Sequence, residues 1–226
     1  FPIIFTLISF ISGIAIGSTV IISQYFGAKD YEKVRRAIDT LYIFIFFASL
    51  AVSLLGIYFS TDIFRLIKLP PDIIPQADRY LDIYLSGLVL FFGFNATSAI
   101  LRGLGDSKTP LYFMIIATLA NIGFDFLFVV GFGWGIEGAA IATIVAQGGA
   151  FVTAILYLNR THEMINLSWR KMVFDRELFR ANIRIGIPIG LQQSFVALSM
   201  MVMYWLVNPF GTNSVAASSV VFRIDS

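Results

Sequence analysis

The sequence predicts an all-α, polytopic membrane bundle with six complete spans and a partial seventh. Three observations predict it. Hydrophobic residues fill 58% of the 226 positions against 13% charged, and the mean hydropathy is +0.82, well outside the range of water-soluble domains. The apolar residues form continuous runs near the roughly 20 that a helix needs to cross hydrocarbon, not the short alternating segments of a membrane barrel. Lys and Arg collect in alternate connections between those runs, the asymmetry that sets topology in a bilayer.

Taken in order, the runs are 3–23, 41–59, 83–101, 111–136, 138–158 and 185–210, followed by the opening of a seventh at 214–226. The first carries Gly13 and Gly17 with Ala15 between them, a small-residue face for close helix contact. The fourth alone holds an ionisable residue well inside, Asp125. The sixth contains Pro188, which predicts a bend. The chain opens at Phe1, with neither Met nor a basic region before its first run, and 214–226 is shorter than the roughly 20 residues a span needs, so both ends read as cut from a longer protein.

Alternating the runs places Lys29, Lys33, Arg35, Arg36, Arg102, Lys108, Arg160, Arg170, Lys171, Arg176, Arg180 and Arg184 on one face. Only Arg65, Lys68 and Arg79 fall on the other. The first face is therefore expected to be cytoplasmic. The longest connection, 159–183, interleaves Trp169, Met172, Phe174, Leu178 and Phe179 with basic residues, and reads as an interfacial segment with Asp175 as a helix N-cap. It divides the chain into a bundle at 1–158 and the start of a second at 184–226.

Several function classes drop out. Without cysteine there is no disulfide or thiolate metal site, and one histidine, His162, leaves no Ser-His-Asp set. His162 itself reads as a solvated loop residue. The loop from Arg102 to Pro110 has Gly103, Gly105 and Lys108 but lacks the spacing and the preceding strand of a phosphate-binding loop. No enzyme, cofactor or nucleic-acid partner is expected.

Asp125 is the most informative residue. A carboxylate inside a span costs about 2.5–3.5 kcal/mol on insertion scales and so needs a proton, a cation or a cationic partner. Asn121 and Thr118 share its helix face. Asp125 lies six residues before Gly131, roughly 9 Å at the α-helical rise, and Thr143 five residues after Gly138, roughly 7.5 Å. A carboxylate, an amide and a hydroxyl at one level on neighbouring antiparallel helices suit Na⁺ or H⁺. Gln147, one turn beyond Thr143, extends the polar path inward. Asn95, Ser98, Gln192 and Gln193 are further cavity-lining candidates, although such residues commonly bond helix to helix.

Four stretches carry a resemblance to the multidrug and toxic compound extrusion family, especially its bacterial and archaeal branch related to the DNA-damage-inducible exporters. They are Gly17-Ser18-Thr19-Val20 with the segment from Ile22 to Ala28; Leu101-Arg102-Gly103-Leu104-Gly105-Asp106 up to Pro110; Asn121-Ile122-Gly123-Phe124-Asp125 with Gly138-Ala139-Ala140-Ile141-Ala142-Thr143; and the segment from Gly186 to Gln193. The resemblance implies twelve helices in two lobes, with this chain running from the second helix into the eighth and 159–183 linking the lobes. It also implies that Asp125, Asn121 and Thr143 bind the coupling cation, together with a first-helix acidic residue that would precede Phe1. Where the family often has Asn, Ser98 stands here, with Asn95 nearby.

The function expected on these grounds is Na⁺- or H⁺-coupled antiport. It would export an amphipathic organic cation across the plasma membrane of a bacterium or archaeon, from a protein that is monomeric when complete and surrounded by lipid. Two rivals are a flippase for lipid-linked saccharides, which a more cationic cavity would favour, and a seven-helix receptor or sensor, which would need a soluble output region.

Overall fold

The structure, a computed structural model, describes residues 2–66, 74–162 and 172–207. Among the described residues there are helices and no strands: α1 (Pro2–Gly27), α2 (Tyr31–Leu66), α3 (Ile74–Ser86), α4 (Leu88–Gly103), α5 (Lys108–Asp125), a π-helical segment (Phe126–Gly131), α6 (Gly135–Thr161) and α7 (Arg176–Val207). The expected run 214–226, with Trp169, Arg170 and Lys171 of the linker, lies outside them.

Among the described residues three helical stretches are long and apolar enough to cross a bilayer alone, Tyr31–Ser60, Lys108–Gly131 and Gly135–Thr161, and the bent α3–α4 pair would add a fourth if it is one span. The first and sixth expected runs fall on α1 and α7, parts of whose side chains lie outside the described residues. The third run is corrected. It is not one helix but two, bent by 43° at Gly87, where the Ser86-Gly87 pair weakens the helix and the Ile144 side chain occupies the space a Cβ would need.

The core forms where α1, α2 and α4 meet, around Ile22, Ile38, Leu41, Leu88, Phe92 and Ile100, with Leu158 of α6. From there α4 packs on α6 and α6 on α5, so α5 stands at one edge of the bundle. Large apolar side chains also face outward, Phe47 at 65% exposure on α2 and Leu119 at 64% on α5. Such faces are costly in water and suit lipid.

Polar groups inside the bundle mostly close helix contacts. Tyr42 and Thr97 share a buried hydroxyl–hydroxyl bond of 2.7 Å, and Thr19 donates to the Ala99 carbonyl at 3.1 Å. At its C-terminal end, α4 stops in a Schellman turn. Gly105 takes φ +91 while the Asp106 and Gly105 amides donate to the Leu101 and Arg102 carbonyls. Asp175 caps α7 as expected, accepting from the amides of Glu177 at 3.0 Å and Leu178 at 3.1 Å. That helix begins at Arg176, inside the segment expected to be linker.

Candidate cation site

Asp125 ends α5 at the point where the chain changes from α- to π-helical winding. The Phe132 amide reaches back to Leu127 at 2.9 Å, and Gly133 and Gly135, at φ +70 and +59, then reverse the chain into α6. A π segment inside a helical stretch is a recurrent feature of functional sites. Here it shapes the corner that holds the carboxylate. The hairpin closes tightly because Gly138 has no side chain: a Cβ there would lie 3.1 Å from the Phe128 backbone and Cβ.

Within that hairpin Asn121 Nδ2 donates to Thr143 Oγ1 at 3.4 Å, and Thr143 Oγ1 donates to the Ala139 carbonyl at 3.0 Å. Asn121 thus sits opposite Thr143, and Asp125 follows one turn, about 6 Å, farther along α5 toward the hairpin turn. Asp125 Oδ1 is enclosed and accepts no hydrogen bond, and the same is true of Gln147 Oε1 on α6. Buried acceptors are paired in the great majority of cases, so each exception calls for a ligand or a water.

The other candidates fall elsewhere. Thr118 is exposed and its hydroxyl returns to the Met114 carbonyl at 2.9 Å, so it is not part of this group. Asn95 bonds back to Phe91 at 2.9 Å, Ser98 is buried in the packing of α4, and Gln192 and Gln193 are exposed on α7.

Three features escaped the sequence reading. Asp39, only 3% exposed in the N-terminal part of α2, accepts the Val173 amide at 3.4 Å. Its signal was the Asp39-Thr40 pair just before an apolar run. Asn182 of α7 donates to Ser18 of α1 within the buried contact between those helices. His162 is half-buried rather than solvated, with Nδ1 enclosed and unpartnered. Burial pushes its pKa below the ordinary 6.5, and the nearby Asp106 carboxylate opposes that shift.

Comparison with known proteins adds an independent line. The MatE family model matches residues 1–127. Two proteins of Bacillus subtilis (strain 168) align over nearly the whole chain: the probable multidrug resistance protein YoeA at 33% identity, covering 100% of the chain and 50% of YoeA, and the probable multidrug resistance protein YpnP at 35%, covering 99% and 50%. A multidrug resistance MATE family transporter of the MOP superfamily, solved in an outward-facing conformation, superimposes with a TM-score of 0.88 at 23% identity, covering 100% of the chain and 50% of that structure. The chain spans about half the length of the curated relatives it matches.

Proposed function

The chain belongs to the MatE family, and from that premise we propose that the full-length protein carrying it is a secondary transporter that exports amphipathic organic cations in exchange for Na⁺ or H⁺. Asp125, Asn121 and Thr143 form the seat of the coupling ion. The observation that carries this reading is the enclosed, unpartnered oxygen of Asp125 beside the Asn121–Thr143 pair. A carboxylate held there with no cationic side chain bonded to it is satisfied by an incoming cation.

Coupling follows from differential affinity. A ligand shifts a two-state protein only as far as it binds one state better, and an enclosed carboxylate binds a cation well only while its neighbours remain in reach. Loading the seat therefore biases the lobes toward releasing substrate outside. The names of YoeA and YpnP support a drug-like organic cargo. The basic connections support a cytoplasmic inner face in a bacterial or archaeal plasma membrane.

The test is efflux by the full-length protein in proteoliposomes, with Na⁺ and pH gradients imposed separately. Asp125→Asn keeps shape and removes charge, so gradient-driven efflux is expected to fall at least about tenfold, the scale of one lost charged contact. Membrane insertion should be unchanged. Undiminished efflux under both gradients would reject the seat.

A further inference from the structure

The first turns of α7 carry a charge arrangement that their protein neighbours do not relieve. Arg176, Arg180 and Arg184 follow one another at four-residue spacing, so they stand on one face of the helix with a rise of about 6 Å between them. All three are exposed, and among the described residues none forms an ion pair, whereas Arg36 has Glu32 at 2.7 Å and Arg79 has Glu137 at 2.9 Å. Like charges one turn apart repel. Their place at the start of a helix adds to the cost, because that is the positive end of the helix dipole. The cap there, Asp175, already has its Oδ1 occupied by the Glu177 and Leu178 amides. Ile187, Leu191 and Phe195 continue the arginine face along α7 and are exposed as well. From Arg184 to Phe195 the helix rises roughly 16 Å, close to half the roughly 30 Å thickness of the hydrocarbon layer.

We propose that this face of α7 binds an anionic phospholipid of the inner leaflet, its phosphate held by Arg176, Arg180 and Arg184 and an acyl chain lying along Ile187, Leu191 and Phe195. The inference rests on the cytoplasmic placement of the basic connections and goes beyond it in naming a site and a class of lipid. Guanidinium groups hold phosphate oxygens through paired N–H donors. A bound anion offsets both the repulsion within the stripe and that from the helix end, whereas a zwitterionic headgroup brings a cation of its own to the same place. The apolar continuation selects a lipid over a free phosphate, which would use the arginines alone. Bound there, the lipid fixes the entry of α7 into the membrane beside the contact of the Asp175 amide with Thr40 of α2.

The experiment follows the thermal midpoint of the purified full-length protein in detergent as phosphatidylglycerol is added, with phosphatidylcholine and inorganic phosphate titrated in parallel. Phosphatidylglycerol is expected to raise the midpoint saturably, and the other two to leave it unchanged. Arg180→Gln is expected to raise the half-saturating lipid concentration about fivefold, the scale of one arginine at an anionic surface. Combining Arg176→Gln, Arg180→Gln and Arg184→Gln should abolish the shift. If that combination does not fold, Arg176→Gln and Arg184→Gln taken singly decide, each with the same expected change as Arg180→Gln. Arg102→Gln, Lys108→Gln and Arg160→Gln together take the same charge from other basic residues of that side and should keep the shift. Three results overturn the proposal: single arginine variants that titrate like the unaltered protein, loss of the shift in the Arg102, Lys108 and Arg160 control, or an equal shift with phosphatidylcholine or phosphate. The measurement involves no efflux, so its failure is distinct from failure of the cation seat, which Asp125→Asn reports.

Discussion

Asp106, unlike Asp125, has its bonds supplied by its immediate surroundings. Its Oδ1 accepts the Thr109 amide at 3.0 Å and its Oδ2 the Tyr157 hydroxyl at 3.1 Å, which ties the start of α5 to the inner part of α6. Burial pushes its pKa up, but the bonds from Thr109, Tyr157 and the Lys108 backbone outweigh it and leave the group below its ordinary 3.8. A depressed carboxylate adds stability that is complete above the ordinary value and disappears as pH falls through the folded value. Protection of the Thr109 amide against hydrogen exchange should therefore hold at neutral pH and decline in strong acid. Asp106→Ala should remove most of it at any pH, at a cost of about 1 kcal/mol for a lost cap. Equal exchange in the variant and the unaltered protein would deny Asp106 this role. At this scale Asp125 was legible because a lone charge in an apolar run is expensive enough to stand out. Asn121 and Thr143 were legible through helical spacing and the family resemblance. The return of the Thr118 hydroxyl to its own backbone was not legible, because a helix face does not show it, nor was the burial of His162, which a loop position does not reveal.

The bend between α3 and α4 is the element most altered from its sequence expectation, and its neighbours explain how it is held. Ser53 of α2 donates to the Leu85 carbonyl at 2.7 Å, giving a backbone acceptor at the interrupted turn a partner that water provides elsewhere. Gly56, one turn along α2, makes room for Leu85, since a Cβ there would lie 2.6 Å from Leu85 Cδ1. Ser53→Ala should cost about 1 kcal/mol, the usual net value of a buried hydrogen bond. The loss should appear as faster hydrogen exchange confined to residues around 85–90, with α5 and α6 unaffected. Uniform exchange across the bundle would instead make Ser53 an ordinary packing residue. Hydropathy could not reveal the break, because 83–101 carries no charged residue and no proline. The available cue was the adjacent Ser86 and Gly87. The π segment after Asp125 was hidden for the same reason: its composition is that of any lipid-facing helix.

At the scale of the whole molecule, α1 and α7 meet backbone against backbone, although the sequence assigns them to opposite sides of the linker. A Cβ on Gly13 would lie 2.6 Å from both the Gly186 carbonyl oxygen and the Gly190 nitrogen, and one on Gly186 would lie 2.7 Å from Ile14 Cα. These are backbone atoms, which cannot rotate aside. Around the inner end of this seam, Asn182 bonds Ser18, the Asp175 amide donates to Thr40 at 3.0 Å, and Arg36 stands 3.8 Å from the Asp175 carboxylate. The small face of α1 was legible from Gly13 and Gly17, but its partner was not, since nothing in a single sequence says which glycines meet. Replacing Gly13 with Ala sets two effects against each other. The better helix former gains about 1 kcal/mol, whereas overpacking a closed backbone contact costs about 1–3 kcal/mol. Packing should win, so Gly13→Ala is expected to lower the thermal midpoint of the purified full-length protein. Gly149→Ala has no atom within 4 Å of its new Cβ and feels only the helix term, so its midpoint should hold or rise. If both variants shift alike, backbone contact does not hold α1 to α7, and the Asn182–Ser18 bond must fasten the two helices, with Thr40 and Arg36 of α2 holding the start of α7.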